Sequence, residues 1–508
     1  MKLLLIQPPK RFWPYISEGD NYLLPQWMVC LAASARQAGY EVRCIDCAPR
    51  KTGWQSLGRE IAGWQPDFVG VGENHALYAD ESLRALQLAK QINPHTVTIA
   101  GGTHFSNTVE QTLSGGFVDF IATREGEITL VDLMDAVRDG RDPETVQSVI
   151  FTRGGDTVYT PPRPLIEDLD SLPMPAYDLA GMHLYGNSRF LFSPGGATIY
   201  HSRGCVSNCR FCAWWLQMAD VKVKDDGKQI LKPRWRTKSV DYTVEEIELL
   251  ANKHNKKCLV FVDEYWNYDS EWNAAFSEAL IKKNLGVVWF AFMRADAIVR
   301  DEENGVLEKM VRSGMVHVCV GVEHTDADKL ASMGKGFYSS DTSTRCFHIL
   351  RDKYPGVFRQ GTFIVGTRKE TRESMLNQVR YARHLDLDYP GFHPITPVPG
   401  TDVWREYDEN GWIEVKDYRE YDWMTPIISS EFMTREEIED FLINLSKRFV
   451  SPRWFLRGIT SRSSYRRRMY VWWIIVTLRV IWDSIRRRIK PFTTESYSFL
   501  VKPEWYDD

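Results

Sequence analysis

Apolar runs of strand length alternate with amphipathic segments of helix length through the first 145 residues of the chain. The runs are KLLLIQP, EVRCIDC, DFVGVG, TVTIAGG and DFIATRE. Between them lie segments such as QWMVCLAASARQAG and DESLRALQLAKQIN, whose apolar positions recur at helical spacing. This alternation predicts a doubly wound α/β sheet, with ligands at the carboxyl ends of its strands. Those ends carry Gln7-Pro8, Glu73-Asn74, Gly101-Gly102-Thr103-His104 and Glu125-Gly126-Glu127. Residues 146–195 are rich in Pro, Asp and Gly and predict a linker containing one short hairpin. A second series follows in 196–404: TIYHSR, CLVFVDE, VVWFAFMR, HVCVGVE, FRQGTFIVG and YPGFHPITP. Six strand–helix units predict a partial barrel, with its chemistry at the carboxyl ends of the strands. Residues 405–508 predict a helical region, acidic at first and basic later.

Composition narrows the classes. A 508-residue chain exceeds one compact core. Its net charge of −4 gives no global attraction for polyanions, and no RNA-binding module is evident. A tRNA-modifying role would therefore need a strong salt-dependent RNA affinity that nothing here predicts. The nine scattered cysteines do not form a disulfide framework, and the apolar start MKLLLI is too short for a signal peptide, so the expected setting is a reducing cytoplasm. The apolar run MYVWWIIVTL (469–478) is too short to span a bilayer. Residues 457–490 around it hold ten Arg/Lys against one Asp, so this segment suits either an anionic membrane surface or packing on the body with solvated arginines.

Candidate chemistry concentrates in HSRGCVSNCRFCAWW, where Cys205, Cys209 and Cys212 follow the first strand of the second series. A zinc site wants four ligands, often two separated pairs, and no second pair lies nearby. Structural thiols do not cluster this tightly. An iron–sulfur cluster held by three thiolates keeps one iron open. Cys44-x-x-Cys47 reads as two inert thiols rather than a redox pair.

C-x₃-C-x₂-C after the first barrel strand resembles the radical S-adenosylmethionine (SAM) superfamily. The resemblance implies a [4Fe–4S] cluster on the three cysteines, SAM bound to its open iron, and cleavage of SAM to a 5′-deoxyadenosyl radical. It further implies SAM contacts from Phe211, Asp263, Glu264, Arg294, Glu323, Gly366 and Pro397, with low-potential electrons from a flavodoxin or ferredoxin. A doubly wound domain ahead of such a barrel, with G-G-x-H at 101–104 and R-E-G-E at 124–127, is similar to the cobalamin-binding radical SAM class. That places cobalamin against the strand ends named above. The D-x-H-x-x-G signature of a lower cobalt ligand is absent from residues 1–195; His104 could lie near the lower face or bond a loop.

The segments PPRPLIEDLD, HVCVGVEHTD, FIVGTRKET, YDWMTPIISSEFMTREE and SKRFVSPRWFLRG resemble the anaerobic magnesium-protoporphyrin monomethyl ester cyclase family. That implies oxidative ring closure on a tetrapyrrole. The insertion AWWLQMADVKVKDDGKQILKPRWRTKS and the aromatic DEYWNYDSEW depart from it. A relative that methylates an unactivated carbon of a lipid or other hydrophobic natural product is the alternative. A non-catalytic cobalamin or light sensor with a vestigial barrel is disfavoured by the intact cysteine triad. Trp214, Trp215, Tyr265 and Trp266 are candidates for the substrate pocket, or for core packing.

Overall fold

The computed structural model describes residues 1–223, 229–336, 338–489 and 500–508. Its first sheet has seven strands: β1 (Lys2–Gln7), β2 (Glu41–Asp46), β3 (Phe68–Gly72), β4 (Val97–Gly101), β5 (Phe120–Ala122), β6 (Val149–Arg153) and β7 (Asp156–Tyr159), in the order β2-β1-β3-β4-β5-β6-β7. β1 to β5 are parallel. Alternation along the strands explains the two covered faces: Leu3 and Leu5 enter one core while Leu4 and Ile6 enter the other. The hairpin expected within the 146–195 linker is β6–β7, and it joins this sheet antiparallel to β5. The first domain therefore extends past residue 145, because β5 would otherwise leave an unpaired edge.

The second sheet begins with β8 (Gly196–Ile199). After β9 (Ser202–Gly204), β10 (Asp220–Val223), β11 (Gln229–Lys232) and β12 (Trp235–Thr237) come β13 (Cys258–Phe261), β14 (Val288–Met293), β15 (Met315–Glu323), β16 (Phe358–Val365) and β17 (Tyr389–Pro394). Six of these form one all-parallel sheet in the order β17-β16-β15-β14-β13-β8, the expected six-unit partial barrel. The helices between them start on side-chain caps, such as Ser239, Asp269, Ser339 and Thr371, each accepting from a backbone N–H of the first turn. The insertion after the cysteines becomes the short helix Trp214–Gln217 and the antiparallel hairpin β10–β11. Its tip, 224–228, lies outside the described residues.

The C-terminal helices Arg435–Phe449, Pro452–Ile459 and Ser464–Ile489 pack on the barrel. Their anchor is Asp388, just before β17. It accepts from the Arg359 backbone N–H (3.0 Å), the Arg466 guanidinium (2.6 Å) and the Tyr470 hydroxyl (2.6 Å). Burial opposes its charge, but Arg359 and Arg466 outweigh that and hold Asp388 below the usual carboxylate range. Residues 500–508 then return to the first domain. Val501 bridges Phe12, the Trp54 and Ser56 N–H groups donate to the Tyr506 and Asp508 carbonyls, and the Tyr506 ring meets Trp54 edge-on at 6.1 Å.

Candidate active site

The cysteine loop begins where the chain leaves β8. β9 turns away from the barrel to pair antiparallel with β12. Gly204 makes that departure possible: its φ is +85°, and a Cβ there would meet the Arg234 carbonyl at 2.1 Å. Cys205, Cys209 and Cys212 follow. The loop is held from outside by backbone bonds Arg210 N–H to Met333 O (2.9 Å) and Val403 N–H to Arg210 O (3.1 Å). Arg294 donates to the Ser207 hydroxyl at 2.8 Å. The Phe211 ring packs against a cluster that includes Ile364 and Ile395, at the ends of β16 and β17.

The thiols lie near enough to influence one another's charge. Burial pushes Cys209 up to about 11 and Cys212 up to about 12, so assembling a metal group here must release protons. Three thiols on one short loop supply ligands to three of the four irons of a [4Fe–4S] cube and leave the fourth open, so the donor set fits the cluster.

Around this loop stand the carboxylates expected at successive strand ends. Asp263 is fully buried. One oxygen accepts from the backbone N–H of His201 (3.1 Å) and from the N–H and hydroxyl of Ser202 (both 2.6 Å). Its other oxygen has no hydrogen-bond partner, and burial pushes its pKa up to about 7. Glu264 accepts from the Gly204 N–H at 3.0 Å. Arg294 pairs with Asp296 and lies over the Tyr265 ring at 4.9 Å. Glu323 sits at φ +63° on an irregularity of the β15–β16 register and pairs with Lys335 at 2.7 Å. Burial works against the Lys335 ammonium, but Glu323 outweighs it and raises its pKa. Gly366 has φ +68° at the end of β16, and Pro397 lies beyond β17.

The strand ends of the first sheet face residues on either side of the cysteine loop across a cavity of about 250 Å³. Asn74, Gly101, Gly102, Thr103, Glu125, Gly126 and Glu127 line it from one side; Trp214, Gln217, Met218, Arg203 and Glu264 line it from the other. Gly102 has φ +99°, and a Cβ there would meet the Glu73 carbonyl at 2.5 Å, so only glycine lets the backbone pass. Asn74 accepts from the Thr103 N–H at 3.0 Å and fixes the same turn. An apolar wall (Leu5, Val71, Ile99, Leu130) behind a glycine backbone fits the flat face of a corrin.

Several expected residues lie elsewhere. Gln7, Pro8, Glu73 and His104 are not among the lining residues. Gln7 accepts from the Trp27 indole, Glu73 accepts from the His75 N–H, and His104 packs edge-on against Phe105 and Tyr418. Burial lowers His104 to about 4, which keeps it neutral. Of the four aromatic candidates, only Trp214 lines the cavity. Trp215 donates to the Cys209 carbonyl (3.3 Å), while Tyr265 lies under Arg294. Trp266 is wholly buried in an aromatic core with His201, Trp272, Phe276 and Trp289 and has no access to a ligand.

Sequence reasoning missed the groups that join the domains. Arg203 on β9 donates to Glu125 (2.7 Å), to Glu127 and to the Tyr200 hydroxyl, and Arg236 on β12 donates to Glu125 (2.9 Å). These guanidiniums outweigh burial and hold Glu125 below its usual range. The available signal was charge matching between the acidic 125–127 and the basic 203 and 236, which pairs only once the fold is known.

Two sheets whose parallel strands meet at their carboxyl ends, with three thiols on a loop at one edge and a glycine-lined cleft at the other, define an enzyme of two cofactor regions. Comparison with known proteins gives its class. Residues 13–134 match the B12 binding domain family and residues 199–382 the radical SAM superfamily. The chain is a B12-binding radical SAM enzyme, a class that uses a [4Fe–4S] cluster, SAM and cobalamin. It is 29% identical to the anaerobic magnesium-protoporphyrin IX monomethyl ester cyclase of Rubrivivax gelatinosus over 454 residues, 87% of this chain and 77% of that one. It is 28% identical to an uncharacterised methyltransferase of Pyrococcus horikoshii over 445 residues, 87% of this chain and 91% of that one. The fold is that of the radical SAM methyltransferase TsrM from Kitasatospora setae, with a TM-score of 0.67 at 14% identity, covering 95% of this chain and 99% of that one. Among the described residues, no helix is long and apolar enough to cross a membrane.

Proposed function

We propose that this enzyme functionalises an unactivated C–H bond of a hydrophobic substrate, with magnesium-protoporphyrin monomethyl ester, closed oxidatively to its fifth ring, as the first candidate. The observation that carries the reading is the helix Trp214–Gln217. It starts two residues after Cys212 and also walls the cavity at the first sheet, so one short element adjoins both cofactor regions. When bound, the cluster and SAM supply a carbon radical, and cobalamin supplies a second reactive centre beside it.

The chain's own residues would bind and orient. Cys205, Cys209 and Cys212 hold the cluster. Glu323, held in place by Lys335, takes the ribose hydroxyls or amino group of SAM. The unpartnered oxygen of Asp263 is a second acceptor for that amino group, and Glu264 and Arg294 complete the polar side. Phe211, Gly366 and Pro397 flank the adenine. Asn74, Gly101, Gly102, Thr103, Gly126 and Trp214 shape the corrin cleft. A flavodoxin or ferredoxin supplies electrons.

A second reading, methyl transfer to carbon, draws support from the Pyrococcus horikoshii relative and from the hopanoid C-3 methylase of Methylococcus capsulatus, 23% identical over 421 residues. One experiment separates them. The enzyme is reconstituted anaerobically with iron, sulfide and hydroxocobalamin, then incubated with SAM, reductant and the porphyrin ester. Accurate-mass analysis showing oxygen gain with ring closure supports the cyclase. A methylene gain supports the methylase, and 5′-deoxyadenosine without either product points to another substrate. Failure to bind corrin removes both readings.

A further inference from the structure

Residues 441–482 contain nine Lys and Arg and no Asp or Glu, while the chain as a whole carries −4, so this region opposes the charge of the rest. In the helix Ser464–Ile489 the inward face is fixed by Tyr465, Met469 and Tyr470, which are buried, and by Trp473 stacked on Tyr389. The opposite face is apolar and exposed. Val471, Leu478, Trp482 and Ile485 are spaced by seven, four and three residues, which puts them on one stripe of the helix, and Trp482 is 70% exposed. The preceding helix Pro452–Ile459 repeats the pattern: Trp454 faces inward, while Phe455, Leu456 and Ile459 are exposed. Exposed arginines accompany both helices at 453, 462, 467 and 479.

An exposed apolar stripe that served only packing would be buried, and one serving solubility would be polar. We infer that this helical pair docks the enzyme on an anionic lipid surface, with the stripe immersed among the headgroups and the arginines against lipid phosphate. Charge complementarity selects that occupant. A second copy of the chain would bring arginine against arginine. The helix lies in the surface rather than across it, because Arg466–Arg468 and Arg479 leave only ten apolar or neutral residues between them.

The test uses the full-length protein and extruded vesicles of phosphatidylcholine, with or without phosphatidylglycerol. We expect co-sedimentation with the anionic vesicles at low salt, several-fold less with phosphatidylcholine alone, and release at high salt. The double substitution Leu478→Ser and Trp482→Ser should lower partitioning by roughly tenfold or more while leaving far-UV circular dichroism and SAM cleavage intact. Absence of binding to anionic vesicles overturns the inference. So does equal binding to neutral ones, or a dimer in solution that the double substitution dissociates.

Discussion

Asp263 gathers three donors on one oxygen and none on the other, and burial raises its pKa to about 7. A raised carboxyl pKa favours the folded state while protonated. Its contribution is full below the unfolded value of about 3.9 and is lost as pH rises through about 7. Thermal unfolding of the cofactor-free protein should therefore show a fall in Tm over that window that Asp263→Asn flattens. Nearby, Lys335→Met leaves Glu323 without its cation in a site where an unpaired charge is costly, so calorimetry should show SAM affinity weakened by roughly tenfold or more. Replacing any one of Cys205, Cys209 or Cys212 with Ala should abolish 5′-deoxyadenosine production and lower bound iron, with unchanged circular dichroism. Retained production would sink the cluster assignment. At this scale the sequence disclosed the cysteines, because three thiols in eight residues have few other uses. It did not disclose Lys335, twelve residues from its partner on a different turn, or the burial of Trp266, which an isolated FVDEYWN cannot reveal.

Elements were more legible than their junctions. Strand periodicity predicts both parallel series and the count of six in the second sheet, because each strand carries its own apolar run. The β6–β7 hairpin read as linker because its residues alternate weakly and gain a partner only from β5. The docking of the C-terminal helices combines apolar packing with one buried charge that no pattern marks. Asp388 ties β16, through Arg359, to the Ser464–Ile489 helix, through Arg466 and Tyr470. Asp388→Asn should cost about 3–5 kcal/mol, read by chemical denaturation, because it leaves two buried guanidiniums short of a counter-charge. Its depressed pKa sets the sign with acid. The stabilisation is present above the unfolded value near 4 and disappears as pH falls through the folded one.

Taken whole, the molecule is two sheets aimed at each other across one cavity, clamped by Arg203 and Arg236 against Glu125 and Glu127. A ligand held between them belongs to both. Hydroxocobalamin at a hundredfold excess over its Kd should add about 2.7 kcal/mol of stability. Arg203→Met should lose much of the bound corrin on gel filtration even where SAM-independent folding persists. A second tie is the return of residues 500–508 to Trp54 and Ser56 of the first domain. During synthesis, the segment that covers Trp54 begins at residue 500, about 340 residues after β7 completes the first sheet. At about 5–20 residues per second that is roughly 20–70 s. For that interval the nascent first domain presents an uncovered indole to the cell, a timed opportunity for a chaperone that closes when residues 500–508 arrive.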